Sequence, residues 1–213
     1  LVRYREINDL HKQMLRTSEK VAAMPEGAAR DAALDHLYRG QSNDCYWHGL
    51  FGGIYIAHMR AATLAHLIAA EDGADRALGV AAGGERLDLD LDGRDEVRLS
   101  SEGQVLTIDL DEGGGIGSWD VRAARHALAG VLRRRPEAYH ETLRRHEADL
   151  AKIAAETGDG AAPTSIHDMV QVKESGLAGR LIYDEYERRS GLLRVLAPDA
   201  TAASWAAGGT RTA

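Results

Sequence analysis

The hydrophobic period of this chain changes part-way along, and no other feature limits its fold as strongly. In the first twenty-odd residues Tyr4, Ile7, Leu10, Met14, Ser18 and Val21 recur at spacings of three and four, with one polar member. That is the repeat of an amphipathic helix. Further on, Leu87, Leu89 and Leu91 alternate with Asp88, Asp90 and Asp92, the period-two pattern of a half-buried strand, here ending at an Asp-Gly turn. Residues 73–84 between the two textures are rich in Gly and Ala and read as a linker. A helical part followed by a sheet part is therefore expected, an α+β organisation.

The remaining segments extend this plan. Pro25 and Gly27 end the first helix, and residues 28–38 form a second that buries Leu34 and Leu37. Residues 54–70 give a third, with Ile54, His58, Ala61, Ala65 and Ile68 in one stripe and Tyr55, Leu64 and Leu67 widening it. A helix so apolar is buried on most of its surface. Strand-like bursts at 97–99, 105–110 and 116–121 are separated by Gly or acidic turns, a texture that suggests an antiparallel sandwich. A helical insertion follows Pro136, with Tyr139, Leu143, His146, Leu150 and Ile153 at four-three spacing. Residues 166–173 and 181–186 return to strand, and 197–213 carry no period. The expected organisation is a helical domain over 1–72, a linker over 73–84, a partial sandwich over 85–196 and an unpatterned tail.

Charge excludes some functions. The formal net charge is −7, whereas a nucleic-acid footprint needs a basic face. Residues 1–71 balance eight basic against eight acidic side chains, while 85–112 alone hold ten acidic against three basic. A single cysteine, Cys45, forms neither an internal disulfide nor a cysteine-based zinc site. No apolar run approaches the ~20 residues that span a bilayer. The expectation is a cytoplasmic protein without membrane partners. Opening at Leu1, inside an amphipathic pattern, the chain reads as a piece of a longer one.

One stretch concentrates unusual chemistry: RGQSNDCYWHGLFGG, residues 39–53. Asp44 is an acceptor-only carboxylate able to hold two vicinal hydroxyls, and Gln41 and Asn43 supply both donors and acceptors. Tyr46 and Trp47 offer flat faces suited to the C–H face of a pyranose. His48 stands at the rim, and Gly49, Gly52 and Gly53 permit positive φ or close approach. Two readings compete. An Asn or Asp before a helix caps it and the aromatics anchor a core; alternatively, apolar walls with a few convergent polar groups make a ligand pocket.

The stretch LYRGQSNDCYWHGLFGGIYIAHMR resembles the helical middle domain of family 57 glycoside hydrolases, in the 4-α-glucanotransferase and α-amylase-like branch. DLDGRDEVRL, LRRRPEAYH (132–140) and SIHDMVQVKESGLAGRLIYDEYERRS (165–190) resemble the C-terminal domain of the same enzymes, in the same order. The resemblance covers most of residues 1–196. It implies a β/α barrel carrying a Glu nucleophile and an Asp acid/base, a helical domain that lends a loop to the active site, and a galactose-mutarotase-like sandwich. On the family pattern, Asp44 binds ring hydroxyls and Trp47 shapes the glucosyl site. The retaining mechanism needs two carboxyl groups about 5–5.5 Å apart, both from the barrel, so no catalytic residue is expected in this chain. Two departures stand out: Ala127-Leu128 where relatives often have Asn-Leu, and a tail after Leu196 in place of later sandwich strands, which leaves strand edges open.

Other constellations carry less. DLDLDG (88–93) places Asp at positions one, three and five of a calcium loop, but Leu99 stands where the bidentate Glu belongs, so a strand and turn is preferred. No cofactor is called for, and calcium elsewhere in the sandwich is left open. Of the nine histidines, His36 and His48 flank the loop, His58 and His66 share a helix, and His140 and His146 share a later one. None of these spacings converges on one ion; His167 reads as a sandwich-core hydrogen bonder. Cys45 lacks a basic neighbour to activate it. Residues 112–117, EGGGIG, read as a loop between strands, and the RRR of 133–135 is at most a weak phosphate site.

The leading expectation is thus a non-catalytic C-terminal part of an α-1,4-glucan-processing enzyme. Its partners would be an α-glucan or maltooligosaccharide and the catalytic barrel of the same polypeptide. The rival is a free-standing carbohydrate-binding or structural module.

Overall fold

The computed structural model describes residues 4–47, 52–111, 113–157 and 176–206, with side chains through 152 in the fourth helix. The chain forms two compact units, 1–132 with 189–213, and 133–188. None of the described helices is long and apolar enough to cross a membrane.

In the larger unit, α1 (Arg5–Ala22), α2 (Ala28–Gly40) and α3 (Ala57–Leu78) pack around one apolar cluster. Ile7, Leu10 and Val21 of α1 are buried, with Tyr4 and Met14 packed at the edge, as the three-four spacing requires. From α2, Leu37 and Ala33 are buried and Leu34 is partly so. Gly40 ends α2 so close to α3 that a Cβ there would lie 2.6 Å from Leu67 Cδ2.

The third helix departs from expectation. It starts at Ala57 and runs to Leu78, through the first half of the stretch expected as linker. Its buried apolar positions are Leu67, Ile68, Ala70 and Ala74, whereas His58 and Ala61 are exposed. The cause is local. Gly53–Tyr55 forms a separate 3-10 turn and Ile56 is extended, so Ile54 belongs to a turn and the helical register starts afresh after it.

The strands β1 (Gly83–Leu87), β2 (Glu96–Ser100), β3 (Gln104–Asp109), β4 (Gly115–Val121) and β5 (His126–Ala127) form one antiparallel sheet in sequence order. A register irregularity falls at Thr107/Ile108, and Ile116 bridges to Ser190. Among the described residues this is an open sheet. The period-two run 87–92 is not a strand beyond Leu87. Asp88 accepts from the backbone N–H of Asp92 and Gly93, Asp90 also accepts from Asp92 N, and Leu91 adopts φ 60. Short carboxylates binding their own backbone compete with ladder pairing, and here they fold the run into a loop.

The sheet meets the helices through charges. The α1 positions Arg5, Asp9, Gln13, Arg16 and Lys20 form a second stripe, and it is not solvated. Gln13 Nε2 donates to Asp120 at 3.0 Å, Asn8 Nδ2 donates to Asp90 O at 2.7 Å, and Arg5 bonds Asp109. Lys20 Nζ reaches Glu71 at 2.7 Å and Asp75 at 2.8 Å. Arg98 of β2 meets Glu71 at 2.7 Å, and Arg122 meets Asp75. Burial opposes ionisation of Glu71, but Arg98 and Lys20 outweigh it and hold the carboxyl below its ordinary range. Pairing of this kind is what allows charges to be buried.

In the smaller unit, α4 spans Ala138–Thr157; of its expected apolar stripe Tyr139 and Leu150 are 61% and 44% exposed, while Leu143 and His146 are half-buried. The segment 181–186 is irregular rather than a strand, after a 3-10 turn at Ala178–Arg180; residues 166–173 lie outside the described residues. The three arginines face carboxylates, not a phosphate cradle: Arg134 binds Asp184 at 2.5 Å, and Arg133 and Arg135 bind Glu187 at 2.9 and 3.1 Å. In the stretch expected to be unpatterned, a short helix, α5 (Ala202–Ala206), stands.

Candidate functional site

The loop after α2 divides into a locked side and an open side. Asn43–Tyr46 makes a 3-10 turn that turns Cys45 inward to 1% exposure. Tyr46 packs against the core, and its hydroxyl donates to Gly40 O at 2.5 Å; burial pushes that hydroxyl's pKa up. The loop returns at Gly53, whose φ is +51 and where a Cβ would stand 2.2 Å from Trp47 O. Ile54 N then donates to that same Trp47 carbonyl at 3.3 Å, and the Ile54 side chain is buried. Only a residue without a Cβ closes the chain on itself here.

On the open side, Trp47 is extended and 44% exposed, Asp44 is half-buried, and Asn43 and Gln41 are exposed. Gln41 Nε2 approaches Met14 Sδ at 3.5 Å. The structure therefore brings Asp44, Asn43 and Trp47 onto one short turn, while Tyr46 and Cys45 fasten it from beneath. His48 lies outside the described residues. Tyr46 and Cys45 act as core anchors, as one of the two readings expects, while the cap of that reading is not formed: no side-chain cap hydrogen bond stands at the starts of the described helices here.

Arg60 is a member of the site that residue-by-residue reading passed over. Its Nη1 donates to Ile54 O at 2.6 Å and its Nε to Gly130 O at 3.1 Å, so it fixes the return of the loop. Both acceptors are main-chain carbonyls, so the sequence carried no signal for them. The histidines pair differently from their sequence grouping. His36 Nδ1 lies 2.9 Å from His66 Nδ1, across α2 and α3, burial lowers the His36 pKa, and His58 points to solvent.

Residues 1–74 match the family described as "Alpha-amylase/4-alpha-glucanotransferase, middle domain", and residues 88–212 match its C-terminal domain. The chain belongs to this family. It is 35% identical to "Alpha-amylase 1" of Dictyoglomus thermophilum over 89% of its own length and 26% of that protein's. It is 33% identical to the "4-alpha-glucanotransferase" of Thermococcus kodakarensis over 93% of its own length and 27% of that protein's. The crystal structure of the 4-alpha-glucanotransferase from Thermococcus litoralis superposes with a TM-score of 0.67 at 25% identity, over 98% of this chain and 28% of that one. The chain thus spans about a quarter of the length of the relatives it matches. The middle-domain match contains the whole loop, and the C-terminal match contains β2 to β5, both as the sequence resemblance indicated.

Proposed function

We propose that this chain is the substrate-gripping, non-catalytic part of an α-1,4-glucan-processing enzyme of the 4-α-glucanotransferase or α-amylase type. The observation that carries the reading is the loop's geometry. The backbone carbonyl of Trp47 is clasped by Gly53 and Ile54, its side chain is 44% exposed, and the half-buried Asp44 precedes it by three residues on the same turn. An exposed aromatic face and a carboxylate presented from one turn suit a glucosyl unit, with the ring plane on the sugar's C–H face and Asp44, Asn43 and Gln41 on its hydroxyls. His48 and Tyr46 complete the set as rim and anchor. Catalytic carboxylates would come from a barrel elsewhere in the same polypeptide, since the relatives are about three and a half times as long. The open sheet is the first layer of the galactose-mutarotase-like sandwich in this reading, and the enzyme works in the cytoplasm on soluble glucan.

The test is Trp47→Ala in the enzyme that joins these residues to the barrel. A 10–100-fold loss of kcat/KM is expected from removing one aromatic contact, with an unchanged melting temperature. Unaltered kinetics would remove Trp47 from the site. A free-standing binding module predicts instead that the 213-residue chain alone binds maltoheptaose with saturable quenching of tryptophan fluorescence. The barrel-dependent reading expects no saturation.

A further inference from the structure

One end of the sheet gathers carboxylates from separate elements. Glu96 opens β2, Asp109 closes β3 and Asp111 lies just beyond it; one oxygen of each falls within 4.8 Å of the others. Glu96 and Asp109 are direct partners in the β2–β3 ladder, so strand register imposes the meeting. Two oxygens bound to one ion at about 2.4 Å are separated by no more than ~4.8 Å, the spacing of a calcium shell.

The partners of individual oxygens distinguish this cluster from ordinary acidic surface. Glu96 Oε2 accepts from Leu89 N at 2.7 Å, and Asp111 Oδ2 accepts from Arg94 at 2.7 Å. Asp109 Oδ2 accepts from Arg5 and lies 3.2 Å from Arg189. Asp109 is 1% exposed, yet its Oδ1 has no hydrogen-bond partner among the described residues. A buried acceptor left in that state calls for an explanation, an ion being one. Asp109 and Glu96, though not Asp111, also line a cavity of about 60 Å³ that Arg5 and Arg189 share, larger than a single water needs.

We propose that Glu96, Asp109 and Asp111 form a binding site for a divalent cation of the calcium type, completed by water. The ligands are all carboxylate oxygens, which excludes the nitrogen and sulfur preference of zinc. Glu96 comes from the start of β2 and Asp109 and Asp111 from the end of β3, a setting fixed by strand register that fits the tolerant geometry of calcium better than the strict small octahedron of magnesium. Such an ion would tie the end of β3 to the start of β2 and screen Glu96 from Asp109.

The experiment is a thermal melt of the 213-residue chain, freed of ions with a chelator and titrated with CaCl2 or MgCl2. Calcium is expected to raise Tm saturably, by roughly 5–10 °C at a hundred-fold excess over Kd, and magnesium to raise it less. Asp111→Asn and Glu96→Gln keep the shape of each side chain and should abolish the saturable shift. Asp88→Asn, in the neighbouring loop, should leave it in place. No saturable shift in the parent chain, an equal shift with magnesium, or a shift that survives Asp111→Asn and Glu96→Gln but vanishes in Asp88→Asn would each overturn the assignment.

Discussion

Replacing Asp120 with Asn should change how stability responds to pH. Asp120 sits on β4, 3% exposed, accepting from Gln13 through Oδ2, while Oδ1 has no partner among the described residues. Burial raises its pKa to about 7, Glu71 adds to the rise, and Gln13, Arg98 and Arg122 oppose it. An unfolded Asp ionises near 3.9, so between that value and about 7 the folded state holds a proton that the unfolded state has released. The stabilisation from this group is therefore full at low pH and is lost as pH rises through the folded pKa. From about pH 5 to about pH 8 the loss amounts to about 2–3 kcal/mol for this carboxyl alone. Asn keeps an acceptor for Gln13 and does not titrate. Urea unfolding followed by tryptophan fluorescence at both pH values should show the variant losing about 2–3 kcal/mol less than the parent on going to high pH. Equal pH dependence in the two proteins would show that Asp120 is ionised throughout, and the account of a protonated carboxyl behind α1 would fall.

Two further outcomes follow from the loop and the smaller unit. Gly53→Ala must place a Cβ against Trp47 O at positive φ; a loss of about 1–3 kcal/mol of stability and a displaced Trp47 are expected, visible as a lower Tm with altered fluorescence, and an unchanged Tm would show that the clasp opens freely. Asp184 is held at about 2 chiefly by its hydrogen bond from Arg134, so a carboxyl titration by NMR should find it ionised well below pH 3.9, the ordinary Asp value, and an ordinary value would mean that the Arg134 fork does not persist in solution.

Periodicity located the first two helices and the core of the sheet, because apolar stripes facing one cluster leave an unmistakable spacing. It misplaced what local chemistry decides. The alternation of Leu and Asp in 87–92 is a strand signal, yet those aspartates bind the backbone of their own loop. The helix beginning near residue 54 had its stripe shifted by the turn at Gly53–Tyr55, a matter of dihedral angles that composition does not reveal. The charged stripe of α1 could not be distinguished from a solvated face, since Arg5, Gln13 and Lys20 look the same whether they meet water or Asp109, Asp120 and Glu71. In the candidate site the presented groups were legible as unusual residue types. The fastening by Arg60 was not, because its acceptors are main-chain carbonyls and carry no signature in the sequence.

The charged seam between the helices and the sheet also bears on how such proteins can be recombined. The middle-domain and C-terminal matches end and begin on either side of residues 75–87, which invites a splice between the two. Yet Lys20, Glu71 and Asp75 on one side are matched to Arg98 and Arg122 on the other. A graft cut there would seat each half on a foreign charge pattern, and an unmatched buried charge costs about 3–5 kcal/mol, a large share of a domain's whole stability. Exchange between relatives should succeed only when α1, α3 and β2 to β4 travel together, so the inheritable block is larger than either half.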